Sequence, residues 1–389
     1  MSPAAKIGCV SSCVLALCMT NRALAQDSFF IGLGALPSTA LPSGAIGVSG
    51  DGSVVVGASR RINSSSADWA AFQWTRPSGL MSLGELPGGQ NSSVPYAVSA
   101  DGSTIVGEGN SPVGREPFRW TQSSGMIGLG GLPGQPVNGF ARAVSANGDV
   151  VVGETRLGSS TTAFRWTNAG GMVSIGDLPG GSLYSAAYGC TADGNTIVGY
   201  SRSANGLEAF RWRADTGMIG LGDLPGGIFL SSATAVTPSG NYIVGDSSSV
   251  NGTAGNRIEA YIWNEQTGMI GLGDLPGGQF ESSAFDVSAD GTTVVGASAV
   301  DDGYQAFIWR PDNGMRNLTD ALTTDYGLSL PGWRLTIARS ISEDGRTIVG
   351  EGVNPDGLTE AWVAHIPEPS SAALLMAGLL IPLVRRMRL

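Results

Sequence analysis

The residues that could do acid–base or nucleophilic chemistry are restricted in type. The chain has one histidine, His365, which stands at the end of the repeated body beside the C-terminal segment, and one lysine, Lys6, which lies outside residues 26–366. A Ser-His-Asp or Cys-His site, a His-ligated zinc or iron site and a Schiff-base lysine are therefore excluded from the body of the chain. Carboxylates remain, because residues 26–366 hold 31 Asp and Glu against 17 Arg, a net charge near −14. So acidic a surface disfavours nucleic acid, whereas two carboxylates suffice for a glycosidase.

Carboxylates recur at one position of a G-x-L-P phrase. Asp177, Asp223 and Asp274 occupy this position, and Glu85 stands there in an earlier copy. A ring of such groups could hold Ca²⁺ together with turn carbonyls. The alternative is structural, since short acidic side chains beside turns accept hydrogen bonds from the turn backbone or meet an arginine. We favour the structural interpretation and therefore expect no cofactor. Under the alternative, these residues would bind Ca²⁺.

These carboxylates belong to an internal repeat. The phrase TGMIGLGDLPGG stands at 216–227 and again, identically, at 267–278. A second phrase, such as AVSADGSTIVGE at 97–108, and a third, such as AFRW at 163–166, accompany it. Each phrase occurs seven times at spacings of 46 to 54 residues. A fixed period of this length is typical of a repeat architecture.

Each repeat predicts four short β-strands, which we label a (AVS), b (TIVG), c (AFRW) and d (GMIGLG). Asp-Gly or Asn-Gly joins a to b, and both dipeptides tolerate the positive φ of a hairpin turn. Strand c alternates, so that Phe164 and Trp166 point to one side. Leu-Pro-Gly-Gly after strand d predicts a turn, and no helical periodicity is visible in the body of the chain. Four strands per unit are typical of a propeller blade.

The two ends of the repeat region complement each other. The region starts with a lone d strand near residues 30–34 and finishes with a lone c strand at 361–364. The first strand can complete the last blade, which would remove two exposed sheet edges. A β-solenoid gives no reason for such a split. We therefore predict an all-β fold, a seven-bladed β-propeller of four-stranded blades over residues 26–366, closed by its N-terminal d strand.

Tryptophans mark strand c and are expected in the core between blades. They are Trp74, Trp120, Trp166, Trp212, Trp263, Trp309 and Trp362.

Two further tryptophans, Trp69 and Trp333, lie outside that register. Each falls in or beside an insertion in a b–c or d–a connection, and these connections share one face of a propeller. Because the first and last units become neighbours on closure, we expect both tryptophans on one rim. With Arg60, Arg61 and Asn63 they are the predicted ligand-binding residues, since aromatic rings with polar neighbours could stack on sugars. The alternative is that both tryptophans only pack against the fold.

The N-terminal residues predict export. An apolar run at 7–19 follows Lys6 and precedes Ala23-Leu24-Ala25, an A-x-A site, so residues 1–25 are expected to be a signal peptide cut after Ala25. Cys190 is the only cysteine of residues 26–389, so an intramolecular disulfide is excluded in the processed chain.

The C-terminal segment 367–389 resembles the PEP-CTERM sorting signal of Gram-negative bacteria. It combines Pro367-Glu368-Pro369, an apolar stretch of about fifteen residues, and a basic end of Arg385, Arg386 and Arg388. The resemblance implies transient membrane anchoring and processing by an exosortase at the cell surface. The alternative is an ordinary C-terminal membrane anchor.

The body resembles the HAF-type extracellular repeat over almost all of residues 30–364. The stretch AFRWTNAGGMVSIGDLPGG and the phrase GNTIVGY carry the resemblance. The histidine that names the family is absent from every copy, so any role it has is not carried over. Its place is taken by Trp69-Ala70, Glu116, Thr162, Glu208, Glu259, Gln305 or Glu360. The resemblance implies export more than a particular chemistry.

Two classes of function follow. The first is a non-catalytic binding or scaffold module at the cell surface or in the extracellular matrix of a Gram-negative bacterium, which binds envelope polysaccharide, exopolysaccharide or another surface protein. The second is an extracellular polysaccharide hydrolase or lyase that uses two carboxylates on the insertion-bearing face. Since no carboxylate pair stands out in the sequence, the binding module is the favoured prediction and no catalytic residue is assigned.

Overall fold

The computed structural model describes residues 28–37, 39–62, 68–90, 92–251 and 258–367. Within these ranges the chain forms β-strands and one short helix, so the predicted all-β class is confirmed. The predicted signal peptide 1–25, with Ala23 and Ala25, lies outside the described residues. So do Asn63 and the tail from Glu368 onward, with Pro369, Arg385, Arg386 and Arg388. No helix in the described ranges is long and apolar enough to cross a membrane.

The strands follow one another with short connections. Their bounds are β1 Phe29–Gly34, β2 Thr39–Val48, β3 Val54–Arg61, β4 Trp69–Thr75, β5 Gly79–Ser82, β6 Ser93–Val98, β7 Thr104–Ser111, β8 Gly114–Thr121, β9 Gly125–Gly128, β10 Gly139–Val144, β11 Val150–Leu157, β12 Ser160–Thr167, β13 Gly171–Ser174, β14 Gly180–Cys190, β15 Thr196–Ser203, β16 Leu207–Arg213, β17 Gly217–Gly220, β18 Gly226–Val236, β19 Ile243–Ser249, β20 Ile258–Asn264, β21 Gly268–Gly271, β22 Ser282–Val287, β23 Val294–Val300, β24 Gly303–Arg310, β25 Gly314–Asn317, β26 Arg334–Ile341, β27 Thr347–Val353 and β28 Thr359–His365. Helix α1, Leu318–Thr324, lies between β25 and β26.

The strands pair in antiparallel sets of four. Sets 1 to 6 take the strands in chain order: β2–β5, β6–β9, β10–β13, β14–β17, β18–β21 and β22–β25. Set 7 combines β26, β27 and β28 with β1, which pairs with β28 from Phe29 opposite His365 to Gly34 opposite Ala361. Single parallel bridges, Thr161 with Tyr184 and Leu207 with Leu230, join sets 3, 4 and 5 into one twelve-stranded sheet.

The first strand of each set faces the middle of the molecule. These strands contact one another in the order β2, β6, β10, β14, β18, β22, β26 and back to β2. Because neighbouring strands in a set are antiparallel, the a–b and c–d turns share one end of the molecule, which we call the turn face. The b–c and d–a connections share the other end, the insertion face.

Strand-b glycines are required by close approach of the neighbouring chain. A Cβ at Gly153 would lie 1.9 Å from the carbonyl oxygen of Phe140 and 3.0 Å from the Phe164 ring. The ring sits over the glycine because the two residues are cross-strand partners. Equivalent rings in the other sets are fully buried: Phe72, Phe118, Phe210, Tyr261, Phe307 and Trp362. The glycine of the Val-Gly pair in strand b therefore makes room for the neighbouring backbone and for the aromatic ring of strand c.

The prediction that seven tryptophans share one register is wrong for Trp362. It pairs with Gly350, the position that phenylalanine holds opposite glycine in other sets, while Ala364 takes the tryptophan position opposite Ile348. Trp74, Trp120 and Trp263 are buried. The other three, Trp166, Trp212 and Trp309, keep partial exposure.

The prediction of no helix in the body of the chain is wrong over residues 318–324. Asn317 caps α1 by accepting a hydrogen bond from the backbone N–H of Asp320 at 3.3 Å. Leu318, Ala321 and Leu322 are buried, which is the helical spacing on one face. Seven residues are too few for that periodicity to be visible in the sequence. The helix also explains why the sequence after Asn317 differs from the other copies of the strand-d phrase.

Candidate functional site

A cavity of about 540 Å³ opens between the inner ends of sets 7, 1, 2 and 3. We call it the upper cavity. Its lining includes Trp69, Tyr96, Arg142, Arg339 and Glu351. Trp69 begins strand c, Ser92 directly precedes strand a and Val94 lies at its start, so the cavity lies toward the insertion face. Its size is within the range of small-molecule sites.

Arg142 is the most heavily engaged side chain of this cavity. It donates to both carboxylate oxygens of Glu154, at 2.8 and 3.0 Å, and Glu154 is 1% exposed. Its guanidinium lies 4.3 Å from the centre of the Tyr96 ring and 5.5 Å from that of Tyr188. Burial lowers the pKa of Arg142, but the hydrogen-bonded Glu154 carboxylate more than offsets this, so the guanidinium stays charged.

Two further ion pairs line the upper cavity. Arg115 lies 3.0 Å from Glu108, and Arg339 lies 2.7 Å from Glu351. Tyr96 donates its hydroxyl proton to Glu108 at 2.9 Å. Burial and the neighbouring Glu108 raise the pKa of Tyr96, so its hydroxyl remains a neutral donor. The cavity wall therefore presents aromatic faces beside fixed donors and acceptors.

Below the upper cavity, each inner strand contributes one side chain to a shared ring. Every one of these strands has a β-bulge at the same register, and the bulged residue turns toward the centre. This middle ring lines a cavity of about 240 Å³. Its members are Ile46, Tyr96, Arg142, Tyr188, Thr234, Phe285 and Arg339.

Toward the turn face the channel narrows. Two positions beyond the middle ring, the lining is apolar: Val48, Val98, Val144, Cys190, Val236, Val287 and Ile341. Burial raises the pKa of the Cys190 thiol to about 12, so this residue belongs to the apolar lining as a neutral group. Next comes the neck, made of Gly50, Ala100, Ala146, Ala192, Pro238, Ala289 and Glu343. Backbone hydrogen bonds of 2.9 to 3.1 Å link many of its neighbours, including Glu343 to Gly50.

Two carboxyl groups beside the channel have raised pKa values. Burial raises the pKa of Asp246 to about 6 and that of Asp286 to about 6. Asp286 accepts hydrogen bonds from the Ser340 hydroxyl at 2.7 Å and from the Ile341 N–H at 2.9 Å, which tie set 6 to set 7. Asp286 therefore acts as a structural link between two inner strands.

The predicted ligand-binding residues are only partly brought together. Trp69 lines the upper cavity and is the cross-strand partner of Arg60, whose side chain is exposed. Arg61 forms an ion pair with Glu85.

Trp333 is placed elsewhere, against the closing strand β1. Its ring meets Phe30 edge-on at 5.1 Å between centroids, and a Cβ at Gly32 would lie 2.6 Å from it. Trp333 does not line the upper cavity that Trp69 lines. The expectation of one shared aromatic rim misses that the insertion before β26 folds back onto the outer strand of set 7.

The candidate Ca²⁺ ligands have separate surroundings. Asp177 accepts a hydrogen bond from the Tyr184 N–H at 3.0 Å. Burial and the nearby Glu208 raise the pKa of Asp223, and burial and the nearby Glu259 raise that of Asp274. Within the described residues, no group of three or more His, Cys, Asp or Glu side chains is arranged to hold a metal ion.

The glutamates that stand two positions before the buried strand-c ring share a backbone partner. Glu116, Glu208, Glu259 and Glu360 accept hydrogen bonds of 2.9 to 3.1 Å from the N–H groups of Gly130, Gly222, Gly273 and Gly34. Each of these glycines has a positive φ, between 71° and 77°. The position therefore fixes the turn that follows strand d.

The middle ring was missed by the sequence reasoning, although a signal exists. Its members stand directly before the AVS-type phrase, at a position that changes in chemical type from copy to copy. Their strand-b neighbours Glu108, Glu154, Asp246 and Glu351 follow the Val-Gly of strand b. Where a position varies inside an otherwise regular repeat, packing between blades does not determine the residue type.

Comparison with known proteins supports the fold. No protein-family model matches the chain, and no curated protein matches it. The β-propeller domain of the trilobed protease from Pyrococcus furiosus, described as having an open velcro topology, is 10% identical with a TM-score of 0.50, over 87% of this chain and 93% of that one. This chain has a propeller-like fold.

Other solved structures are less similar in shape. TolB from Acinetobacter baumannii is 14% identical with a TM-score of 0.48, over 68% of this chain and 63% of its own. Hydrazine synthase of Kuenenia stuttgartiensis is 14% identical with a TM-score of 0.48, over 84% of this chain and 98% of that one. This chain thus spans about 63% of the length of that TolB chain.

Proposed function

We propose that this chain is an exported seven-bladed propeller that acts as a non-catalytic binding module for a polysaccharide of the cell envelope or extracellular matrix. The seven-bladed ring is supported by the circular contacts of the inner strands and by the pairing of β1 with β28. A closed ring holds the inner strands at fixed spacing, which suits a site built from side chains of different blades.

The observation that carries the proposal is the upper cavity. Three arginine–carboxylate pairs hold their donors and acceptors in place, while Trp69 and Tyr96 supply ring faces. Sugars present both apolar ring faces and hydroxyl groups, so they match an aromatic wall set beside fixed polar groups. The carboxylates of Glu154 and Glu351 accept hydrogen bonds from arginines of the wall, whereas the Oε2 atom of Glu108 is buried without a hydrogen-bond partner and is open to a sugar hydroxyl.

Catalysis is the second candidate, since Glu108 and Glu351 share the upper cavity. A glycosidase needs one carboxyl group that donates a proton and one that acts as base or nucleophile. Here each carboxylate already faces an arginine, at 3.0 and 2.7 Å. The arginine occupies an oxygen of each carboxylate and leaves it less available to a scissile bond, which suits binding better than catalysis.

The tail would direct the binding face outward. Ile366 donates its N–H to the carbonyl of Arg346 in an a–b turn, so Pro367 leaves from the turn face. The PEP-CTERM-like segment that follows would be processed by an exosortase. A transient anchor at this end leaves the insertion face pointing away from the membrane. Mass spectrometry of surface material tests this proposal, because recovery of peptides that still carry Arg385–Arg388 would contradict cleavage.

Binding is tested by isothermal titration of the purified chain with dextran, pullulan, galactomannan and alginate, with and without Ca²⁺. We expect Tyr96→Ala and Trp69→Ala to weaken binding about tenfold, as for the loss of a stacked ring. Tyr304→Ala is the matched control, since Tyr304 is an exposed tyrosine outside the upper cavity. Failure to bind any of these polymers, or equal binding by all variants, would overturn the proposal.

The same polymers distinguish binding from hydrolysis. Release of new reducing ends by the wild-type chain, abolished by Glu351→Gln, would establish the hydrolase in place of the binding module. Binding without release of reducing ends, together with no ultraviolet-absorbing unsaturated product, supports the binding module over both the hydrolase and the lyase.

A further inference from the structure

The channel is a funnel with its wide end at the insertion face. The upper cavity of about 540 Å³ shares Ile46, Tyr96, Arg142 and Arg339 with the middle cavity of about 240 Å³. The middle cavity shares valines and Cys190 with the lowest cavity, of about 130 Å³. The three cavities therefore follow one another along the channel and decrease in volume toward the turn face.

The neck closes the narrow end to anything as wide as a polymer. A Cβ at Gly50 would lie 3.1 Å from the Cβ of Ala100 and 3.0 Å from the side-chain carboxyl carbon of Glu343. The neck consists of four alanine methyl groups with Gly50, Pro238 and Glu343, and a contact spacing of about 4 Å around this ring leaves an opening only about 5 Å across. Water passes such an opening, whereas a sugar chain with its hydroxyl groups does not. A ligand must enter and leave by the insertion face.

Each arginine that lines the upper and middle cavities faces a carboxylate, and the carboxyl groups of Asp286 and Glu343 line the funnel below them. Arg115, Arg142 and Arg339 face Glu108, Glu154 and Glu351 at 2.7 to 3.0 Å. An anionic sugar would have to compete with these carboxylates for the arginines, and it would approach a chain whose body carries a net charge near −14. An uncharged sugar can accept from the arginines and donate to the carboxylates without breaking any pair.

We propose that the funnel receives the end of an uncharged sugar chain, terminal residue first, and does not bind an internal stretch of the polymer. This rests on the proposed polysaccharide-binding function. The terminal residue enters the middle ring, where Tyr188 and Phe285 add ring faces below those of the upper cavity. The residue behind it lies beside Trp69 and Tyr96, and the rest of the polymer extends into solvent.

The test counts binding sites per mass of polymer. Dextran, pullulan and galactomannan are each used intact and as size fractions after partial acid hydrolysis, and the full-length protein is titrated onto each fraction. We expect the amount of protein bound per gram of polymer to rise in proportion to the number of chain ends. Alginate, a polyanion, is expected to bind at least tenfold more weakly than the best neutral polymer.

Variants in the middle ring test the depth of insertion. Ile46→Trp fills the ring and is expected to weaken binding at least tenfold, whereas Ile46→Val leaves the ring open and binds like wild type. Tyr188→Ala removes a deep contact, and Tyr188 lines the middle cavity without lining the upper one. This second variant decides the question if Ile46→Trp does not fold, as judged by circular dichroism.

The outcomes separate this inference from the function on which it rests. Binding that is constant per gram as chains shorten, with Tyr188→Ala and Ile46→Trp both normal, overturns end recognition and leaves polysaccharide binding standing. Tighter binding of alginate than of every neutral polymer overturns the uncharged ligand. No binding of any of the polymers overturns the proposed function, and this inference with it.

Discussion

Arg142 and Glu154 form a two-point ion pair across the bulge of β10, with nitrogen–oxygen distances of 2.8 and 3.0 Å. The pair joins the inner strand of set 3 to the next strand outward, and Arg156 approaches the same carboxylate at 3.3 Å. Because Glu154 is 1% exposed, its charge depends on these two arginines for compensation. The pair thus fixes the position of one middle-ring residue and neutralises a buried charge.

Removing Arg142 alone should destabilise the fold. Arg142→Met leaves Glu154 buried with only the partly exposed Arg156 beside it. Breaking one side of a buried pair costs about 3–5 kcal/mol, and we expect a loss toward the lower end because Arg156 remains. Chemical denaturation followed by tryptophan fluorescence measures the change in the free energy of unfolding.

The matched control is the double variant Arg142→Met with Glu154→Leu. Replacing both charges by apolar side chains removes the uncompensated carboxylate, so most of the stability should return. A double variant no more stable than Arg142→Met would show that the ion pair itself, and not the orphaned charge, accounts for the loss.

The repeated strands could be predicted from the sequence because the signals are local. In an Asp-Gly turn the aspartate is held by residues of the same turn. The Thr191 hydroxyl and the Asn195 N–H both donate hydrogen bonds to Asp193, which lowers the pKa of its carboxyl group. The sequence shows that a glycine recurs in strand b, but it does not show which neighbouring atoms require a glycine there. Only the pairing of strands shows that Phe164 lies over Gly153.

Glycines of two kinds should respond differently to alanine. At Gly153 an added Cβ would meet the Phe140 carbonyl oxygen at 1.9 Å, so backbone must shift. At Gly158, where φ is +60°, nothing lies within 4 Å of an added Cβ. We expect Gly158→Ala to cost about 1–2 kcal/mol of conformational strain, and Gly153→Ala to cost more or to prevent folding. Thermal melting measures both, and equal melting temperatures would contradict the close-approach argument.

Pairing of β1 with β28 should be needed for stability. Deleting residues 26–36 removes β1, leaves the edge of β28 unpaired and exposes the surface that Phe30 covers beside Trp362 and Trp333. We expect a lower melting temperature and aggregation on heating. Deleting residues 368–389 is the control and should change neither. A stable, monomeric product of the first deletion would rule out a structural role for β1.

The site was less predictable than the fold because it is assembled by topology. Tyr96 and Arg339 lie 243 positions apart in the chain yet line the same cavity. The residue before the AVS-type phrase varies in type from copy to copy, but nothing local shows that these side chains meet in one ring. Trp69 could be found because it breaks the repeat, whereas Trp333 breaks the repeat equally and packs on Phe30. Irregularity in a repeat therefore identifies candidates but does not separate binding from packing.

Stability should fall as pH rises from about 4 to about 6, with a contribution from Asp246. Protein atoms surround its carboxyl group although some solvent access remains, and burial raises its pKa to about 6. In the unfolded chain the pKa is about 3.9, so the unfolded state ionises first and gains free energy over this window. Asp246→Asn should therefore be more stable than wild type at pH 8, by up to about 3 kcal/mol, and similar to it below pH 4.

Denaturation of wild type and Asp246→Asn at pH 3.5 and pH 8 measures this difference. Asp302→Asn serves as the control for charge removal, because Asp302 is exposed in the turn between β23 and β24. A gain at pH 8 that is equal in both variants would assign the effect to net charge instead of burial.

The two off-register tryptophans should separate packing from binding. Trp333→Ala removes a ring that packs edge-on against Phe30 and covers Gly32, so we expect a loss of about 3 kcal/mol in the free energy of unfolding. Its affinity for the polysaccharide that binds wild type should not change. Trp69→Ala should do the opposite, because Trp69 borders the upper cavity with partial exposure. There we expect about tenfold weaker binding and little change in melting temperature. Normal binding by Trp69→Ala together with early melting would make both tryptophans packing residues and would move the ligand deeper into the channel.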